Sequence, residues 1–207
     1  MAGQARCILN ITREDGKMKA LILDGGPRRK GVTSDLAAAV SAVLSRKGAD
    51  VRTERVYALD VKPCVGCLKC RPDRACALPE DDAHRIAGLI EEADTLVLAS
   101  PTFWGNITGP MKTLVDRLVP VFEHIDPKAG GLPVKKQKGK AGIIITSSNA
   151  PAGWHLLPSQ SRGAVRAMKT ILGAGGYRIR KVINVPDSSR YRKRAPRIRT
   201  RIERALG

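Results

Sequence analysis

The sequence predicts an α/β fold, a doubly wound five-stranded parallel sheet with helices on both faces. Three observations predict it. Five short segments of strand character alternate with five of helical period, the pattern of repeated strand–helix units. The first strand breaks at a glycine turn that runs directly into a helix. The segments after the first, third and fourth strands, Gly25–Ser34, Ser100–Gly109 and Ser147–Ser159, carry Gly, Ser, Thr or Asn. In such a sheet they meet at the carboxyl ends of the strands, where ligands bind.

In chain order, Ala20–Leu23 is an apolar run of the length of a strand buried on both faces. Gly25-Gly26-Pro27 then forces a turn, and Thr33 or Ser34 is placed to cap the helix that ends near Gly48. Asp50–Leu59 alternates as a half-buried strand does. Glu80-Asp81-Asp82 puts acids at the positive end of a second helix. Thr95–Ala99 is a third strand and Met111–Phe122 a third helix, ended or kinked by Pro120. Asp126–Lys140 reads as a polar loop, Ala141–Thr146 as a fourth strand and Ser161–Leu172 as a fourth helix. Tyr177–Val185 is the fifth strand, and the basic residues from Ser189 suggest a last helix broken by Pro196. Residues 1–17 read as an N-terminal extension, 18–188 as one domain, and 189–207 as a basic C-terminal helix or tail.

The strand–glycine loop–helix junction at Lys19–Ser34 gathers unpaired backbone N–H groups, a positive helix end and the cations Arg28, Arg29 and Lys30. That combination suits an anion, most naturally a phosphate. Gly26–Thr33 nearly spells a P-loop, but Val32 stands where its lysine must be, and the dinucleotide fingerprint is absent. A monophosphate is the better match. An ordinary strand-to-helix turn with a solvated basic face fits the same residues.

Charge is the unusual part of the composition. The chain has 37 Lys+Arg against 19 Asp+Glu, a net +18, and residues 178–207 carry half of it. Such a balance points to anionic partners. No run approaches the roughly 20 apolar residues of a membrane span. The first seventeen residues lack the apolar core of a signal peptide, which leaves the cytoplasm as the expected compartment. There, cysteines serve as ligands, redox groups or plain thiols more often than as disulfides. Cys64, Cys67, Cys70 and Cys76 read C-x2-C-x2-C-x5-C, enough thiols in one loop to surround a metal centre. The spacing is similar to bacterial [4Fe–4S] runs; zinc more often uses two separated C-x-x-C knuckles. Cys7 stands alone, and His84, His124 and His155 have no ligand spacing.

Taken together, GGPRRKGVTSDL, PCVGCLKC, SPTFWGNITGPMKTLVDR and TSSNAP resemble the flavodoxin-like NADPH-dependent FMN reductases. Within them the chain most resembles the branch that includes the iron–sulfur flavoproteins, over Met18 to Val185. The resemblance implies bound FMN, with Gly26, Pro27, Arg28, Thr33 and Ser34 around its phosphate. It implies Pro101, Thr102, Phe103, Trp104, Gly105 and Asn106 against the isoalloxazine, and Thr146, Ser147, Ser148 and Asn149 over the far edge of the ring. The family often has Ser near Gly25 and Asn near Val32, and this chain departs from both. The cysteines match the compact cluster motif of the iron–sulfur branch. Gly66 equally matches the C-x-G-C-x-x-C loop that members without a cluster use to shape the pocket.

The implied function is an NAD(P)H oxidoreductase, probed by no acid, base or nucleophile that the sequence singles out. It would pass electrons through FMN to a quinone, nitro or azo compound or another small-molecule acceptor, as a homodimer or higher homo-oligomer. An alternative is an iron–sulfur electron carrier that exchanges electrons with a redox protein. A third reading, from the tail RYRKRAPRIRTRIER, is nucleic-acid binding. Tyr191 is the one aromatic there, which argues against a stacking surface and for a solvated basic helix.

Overall fold

A computed structural model describes residues 17–73, 75–125, 130–157 and 160–207. In chain order the elements are β1 (Lys19–Asp24), α1 (Val32–Arg46), β2 (Asp50–Arg55), α2 (Cys70–Asp73), α3 (Asp82–Glu92), β3 (Thr95–Pro101), α4 (Gly109–Arg117) and α5 (Val119–Phe122). There follow β4 (Glu123–Ile125), β5 (Pro133–Lys135), β6 (Ala141–Ser147), α6 (Ser161–Gly175), β7 (Arg178–Val185) and α7 (Tyr191–Leu206). The main sheet has five parallel strands in the order β2-β1-β3-β6-β7. The expected extension and Cys7 lie outside the described residues, apart from Lys17.

Strand alternation divides the core in two. Leu21, Leu23, Leu96, Leu98 and Ile144 face one layer with residues of α3 to α6, among them Ile86, Ile90, Met111, Leu114 and Met168. Ala20, Ile22, Val97, Ala99, Ile143 and Ile145 face the other layer, built with Leu36, Val40 and Leu44 of α1 and Ile202 and Leu206 of α7. Each such fully buried aliphatic side chain contributes about 1.5–3 kcal/mol. The three central strands therefore read as continuous apolar runs, whereas edge strand β7 exposes Arg178, Ile179, Arg180 and Lys181. Charge on an open edge discourages addition of another strand.

Four expectations are corrected, and the end or kink expected at Pro120 is located. The second strand stops at Arg55, where Val56–Ala58 turns as a 3₁₀ helix. α1 starts at Val32 with Gly31 as N-cap, so Thr33 and Ser34 lie inside the first turn and do not cap it. The third helix divides at Leu118, because Pro120 has no N–H for the preceding turn and its ring crowds that turn's carbonyl. The loop 126–140 contains β5, which pairs antiparallel with β4. α7 runs unbroken through Pro196. That residue is on the solvent side, while buried Tyr191, Ile202 and Leu206 hold the helix down. Tyr191 donates its hydroxyl hydrogen to Asp35 of α1, Arg199 pairs with the same carboxylate, and Arg46 meets Glu203 at 2.8 Å. The inner face of α7 is thus one wall of the core, while most of its basic residues face solvent. Among the described residues no helix is long and apolar enough to cross a membrane.

Candidate functional site

The first strand-to-helix junction is tied by its own polar groups. Asp24 ends β1 and its Oδ1 accepts the Gly26 N–H at 2.9 Å. Arg55, paired in register with Asp24, donates to Asp24 Oδ2 at 3.0 Å, to the Gly26 carbonyl at 3.1 Å and to Ser34 Oγ at 3.3 Å. Ser34 Oγ and the Gly31 N–H both donate to the Arg28 carbonyl, each at 3.0 Å. A Cβ on Gly25 would sit 3.0 Å from both the Ala99 carbonyl oxygen and Met111 Cε, a tight fit that favours glycine there. A Cβ on Gly26 would come within 2.7 Å of Ser34 Oγ.

No side chain caps α1. Its first N–H groups therefore lack intrahelical partners at the positive end of a fifteen-residue helix. They open on a cavity of about 520 Å³ at the carboxyl edge of the sheet. Gly26, Pro27, Arg28 and Thr33 line one side of it, and Pro101, Thr102 and Phe103 with Ser147, Ser148 and Asn149 line the other. Hydroxyl pairs join the loops across this space: Thr33 Oγ1 to Ser147 Oγ at 2.9 Å, and Thr102 Oγ1 to Thr146 Oγ1 at 3.2 Å. Ser148 is 5% exposed, lines the cavity, and its Oγ has no hydrogen-bond partner among the described residues. A buried hydroxyl without a partner is costly and suits a ligand atom. The cofactor implied for this position fits on these grounds: an open helix end for a phosphate, an apolar wall for a ring, and a waiting hydroxyl.

Not every expected residue reaches the cavity. Ser34 holds the loop from behind, and Thr146 is fully buried beneath Thr102. Phe103 and Asn106 exchange two backbone hydrogen bonds of 2.9 Å, closing a turn in which Trp104 (φ 51) and Gly105 (φ 72) are both left-handed. This turn throws the Trp104 ring fully into solvent and leaves Gly105 and Asn106 on a separate groove between α4, α5 and α6. Sequence reasoning missed Arg55, and Ser188 and Ser189, which also line the cavity. The turn formers Pro186-Asp187-Ser188-Ser189 after the last strand were the available signal for the serines.

The cysteine loop lies between β2 and α3. Cys64 and Cys67 are exposed and Cys70 and Cys76 half-buried, all as free thiols. Burial pushes the Cys70 thiol pKa up, and the neighbouring Cys76, Cys64 and Cys67 push it further. Yet among the described residues no three Cys, His, Asp or Glu side chains are arranged to hold a metal ion. The expected ligand set Cys64, Cys67, Cys70 and Cys76 is therefore not assembled as it stands. Other partners occupy two of the sulfurs: Arg117 Nε donates to Cys76 Sγ at 3.1 Å and the Gly66 N–H to Cys64 Sγ at 3.5 Å. The base of the loop is fixed from α4. The fully buried Arg117 guanidinium donates to the Lys62 carbonyl at 2.8 Å and to both Asp81 oxygens at 2.7 and 3.2 Å. Burial pushes the Asp81 carboxyl up, but Arg117 and the Lys62 and Ala83 N–H groups outweigh it and leave its pKa below the usual carboxylate range. Asp81 also caps α3 in a box with His84, whose ring accepts from the Asp81 N–H at 3.2 Å and meets the Cys76 carbonyl at 3.1 Å. That is a structural use of His84. His155 Nδ1 likewise accepts the Gly153 N–H at 3.1 Å.

Comparison with known proteins bears on this arrangement. Residues 18–178 match the model of the family described as NADPH-dependent FMN reductase. An iron–sulfur flavoprotein of Archaeoglobus fulgidus is 34% identical over 128 residues, covering 62% of this chain and 54% of that protein. The chain spans about half the length of the curated relatives it matches. The crystal structure of Smu.1420 from Streptococcus mutans superposes with a TM-score of 0.72 at 20% identity, covering 90% of this chain and 100% of that one. An FMN-dependent NADH-azoreductase of Bacillus anthracis, solved in complex with FMN, gives 0.70 at 13% identity, covering 91% and 97%. At those identities the structural likeness speaks for the fold alone.

Proposed function

The chain belongs to the NADPH-dependent FMN reductase family, and on that premise we propose that it takes electrons from NADH or NADPH and passes them through FMN to a small acceptor. Quinones and nitro or azo compounds are the acceptor classes of choice. The observation that carries the reading is the cavity joining the uncapped α1 terminus to the unpartnered Ser148 hydroxyl. FMN, when bound, supplies two-electron chemistry. The chain's share is positioning. The first N–H groups of α1 and the Arg28 side chain hold a phosphate, Phe103 offers an apolar face, and Ser148 gives or takes one hydrogen bond. Arg28 is the one ionisable side chain lining the cavity among the described residues. Such a site orients and shields a cofactor; it does not itself shuttle protons. We place the protein in the cytoplasm as a homodimer, whose second copy covers the exposed Trp104.

A second reading is an iron–sulfur electron carrier working with a redox protein. Two observations favour it: the iron–sulfur flavoproteins among its relatives, and the mutual influence of the four thiols with Arg117 beside one of them. Visible absorption with iron and sulfide analysis, on protein purified without oxygen, decides. The expected result is a two-banded flavin spectrum, bleached by NADPH or NADH, without iron. Broad brown absorbance with about four irons per chain favours the carrier. Protein that FMN cannot reconstitute sinks both.

A further inference from the structure

Among the described residues Trp104 is the least covered large apolar side chain, 103% exposed. Its turn is well held: Phe103 and Asn106 close it with two backbone hydrogen bonds, and Trp104 itself takes a left-handed φ of 51°. A left-handed backbone is unfavourable for a bulky residue with a Cβ. The fold therefore accepts local strain to hold an indole out in water, where its apolar surface gains nothing. An anchor fixed in this way loses little freedom when a partner buries it.

The next two residues, Gly105 and Asn106, line the groove between α4, α5 and α6, a space of about 490 Å³. Val115 and Val119 line it from α4 and α5, and Ala167, Ile171 and Ala174 from α6. Val119 is exposed and the three α6 residues are only half-buried, so this apolar floor is open to water. The charged residues of the groove are Lys112, Asp116, Glu123 and Arg166, two of each sign. A net charge of +18 opposes self-association, and this face adds nothing to it. Lys112 and Asp116 pair with each other. Glu123 and Arg166 make no ion pair among the described residues, which leaves one charge of each sign to meet its opposite across a two-fold axis.

We propose that this face is where two copies of the chain meet, the Trp104 indole of each copy entering the groove of the other. A two-fold contact needs knob and hole on one surface, and Trp104 stands beside its own groove. The inference rests on the homodimer reading above and names the face and the anchor that make it. It also ties assembly to the flavin cavity. One short turn carries Phe103 on the cavity side and Gly105 and Asn106 on the groove side. A seated indole braces that turn from outside.

Sedimentation velocity of the full chain, with and without FMN, tests it through two variants that break the contact from opposite sides. Trp104→Ala removes the anchor, and Thr170→Trp, an exposed change on α6, fills the groove. Each should weaken self-association by about a hundredfold or more, since each dimer loses two buried anchors. Mixed in equal amounts, the two variants should associate again in part, because the intact Trp104 of one finds the open groove of the other. Wild type that is monomeric at every concentration ends this inference and the homodimer reading together. A dimer that survives either variant, or a mixture that stays monomeric, overturns the contact and spares the homodimer. Loss of FMN by Trp104→Ala in a chain that stays dimeric also overturns it, and gives the indole to the flavin. So does slower turnover of the acceptor by Thr170→Trp with the dimer intact, which gives the groove to a small molecule. Because assembly is read without FMN as well, failure of the flavin reading leaves the test standing.

Discussion

The two polar segments that leave the ends of adjacent strands β1 and β2 are held in opposite ways. The cradle after β1 is tied by its own neighbours: Asp24, Gly26, Arg28, Gly31 and Ser34 bond one another, with Arg55 one strand away. The cysteine loop after β2 keeps Cys64 and Cys67 in solvent, and its base is held from two other helices, by Arg117 of α4 and by Asp81 and His84 at the start of α3. A network of several short-range bonds loses one member cheaply. A base whose bonds converge on one buried ion pair, Arg117 with Asp81, does not. The first arrangement suits a site shaped before its ligand arrives, and the second a segment whose tip can rearrange while its base stays fixed.

Breaking the pin should have the largest effect. Arg117→Leu leaves the Asp81 carboxylate, 6% exposed, without its cation. Removing one partner of a buried pair costs about 3–5 kcal/mol, read as a lower midpoint in urea. The pH dependence has a definite sign. The folded-state pKa of Asp81 is lowered, so its stabilisation is fully present above the ordinary carboxylate value of about 3.9 and is lost as pH falls through the lowered value. The gap between wild type and variant should therefore narrow in acid. A gap that is constant or widens below about pH 4 would show that Asp81 is not what Arg117 compensates.

The same pin marks the limit of what the sequence discloses. Apolar runs such as Ala20–Leu23 and Ala141–Thr146 announce central strands because both of their faces are buried, and loop composition places the ligand edge. Arg117, by contrast, sits in MKTLVDRLVPVF as one more cation on a helix, and nothing local says that it points inward. Arg55 is legible only once β1 and β2 are in register, since its partner Asp24 is thirty-one residues away. The ribbon β4–β5 escapes because three residues per strand carry no period. Trp104 escapes because a tight turn with two left-handed residues calls for Gly or Asn, and the aromatic ring suggests a wall instead. What sequence shows well is periodicity; what it hides is the long-range polar contact.

A smaller effect is expected at the cradle. Arg55→Met removes three side-chain hydrogen bonds, but Asp24 Oδ1 keeps the Gly26 N–H and Ser34 keeps the Arg28 carbonyl. The loss should be about 1–3 kcal/mol of stability, with FMN bound more weakly but still bound, since the open end of α1 is untouched. Titration of the variant with FMN checks this. Complete loss of FMN with a normal unfolding midpoint would mean that Arg55 touches the ligand directly, and that the cradle is less self-supporting than its hydrogen bonds indicate.

The smallest effect belongs to the tip of the cysteine loop. Cys64 and Cys67 are exposed, and the one hydrogen bond to either sulfur among the described residues, Gly66 N–H to Cys64 at 3.5 Å, is a weak one in a solvent-facing turn. Cys64→Ser with Cys67→Ser should therefore move the unfolding free energy by no more than about 0.5 kcal/mol each, because the pin at Arg117 and the capping box at Asp81 remain. If the purified chain carries no iron and the double variant also turns over NADPH normally, the tip takes no part in electron transfer. A loss of several kcal/mol would mean that something at the tip supplies folding energy. Thiols in solvent cannot supply it unaided; a bound metal can.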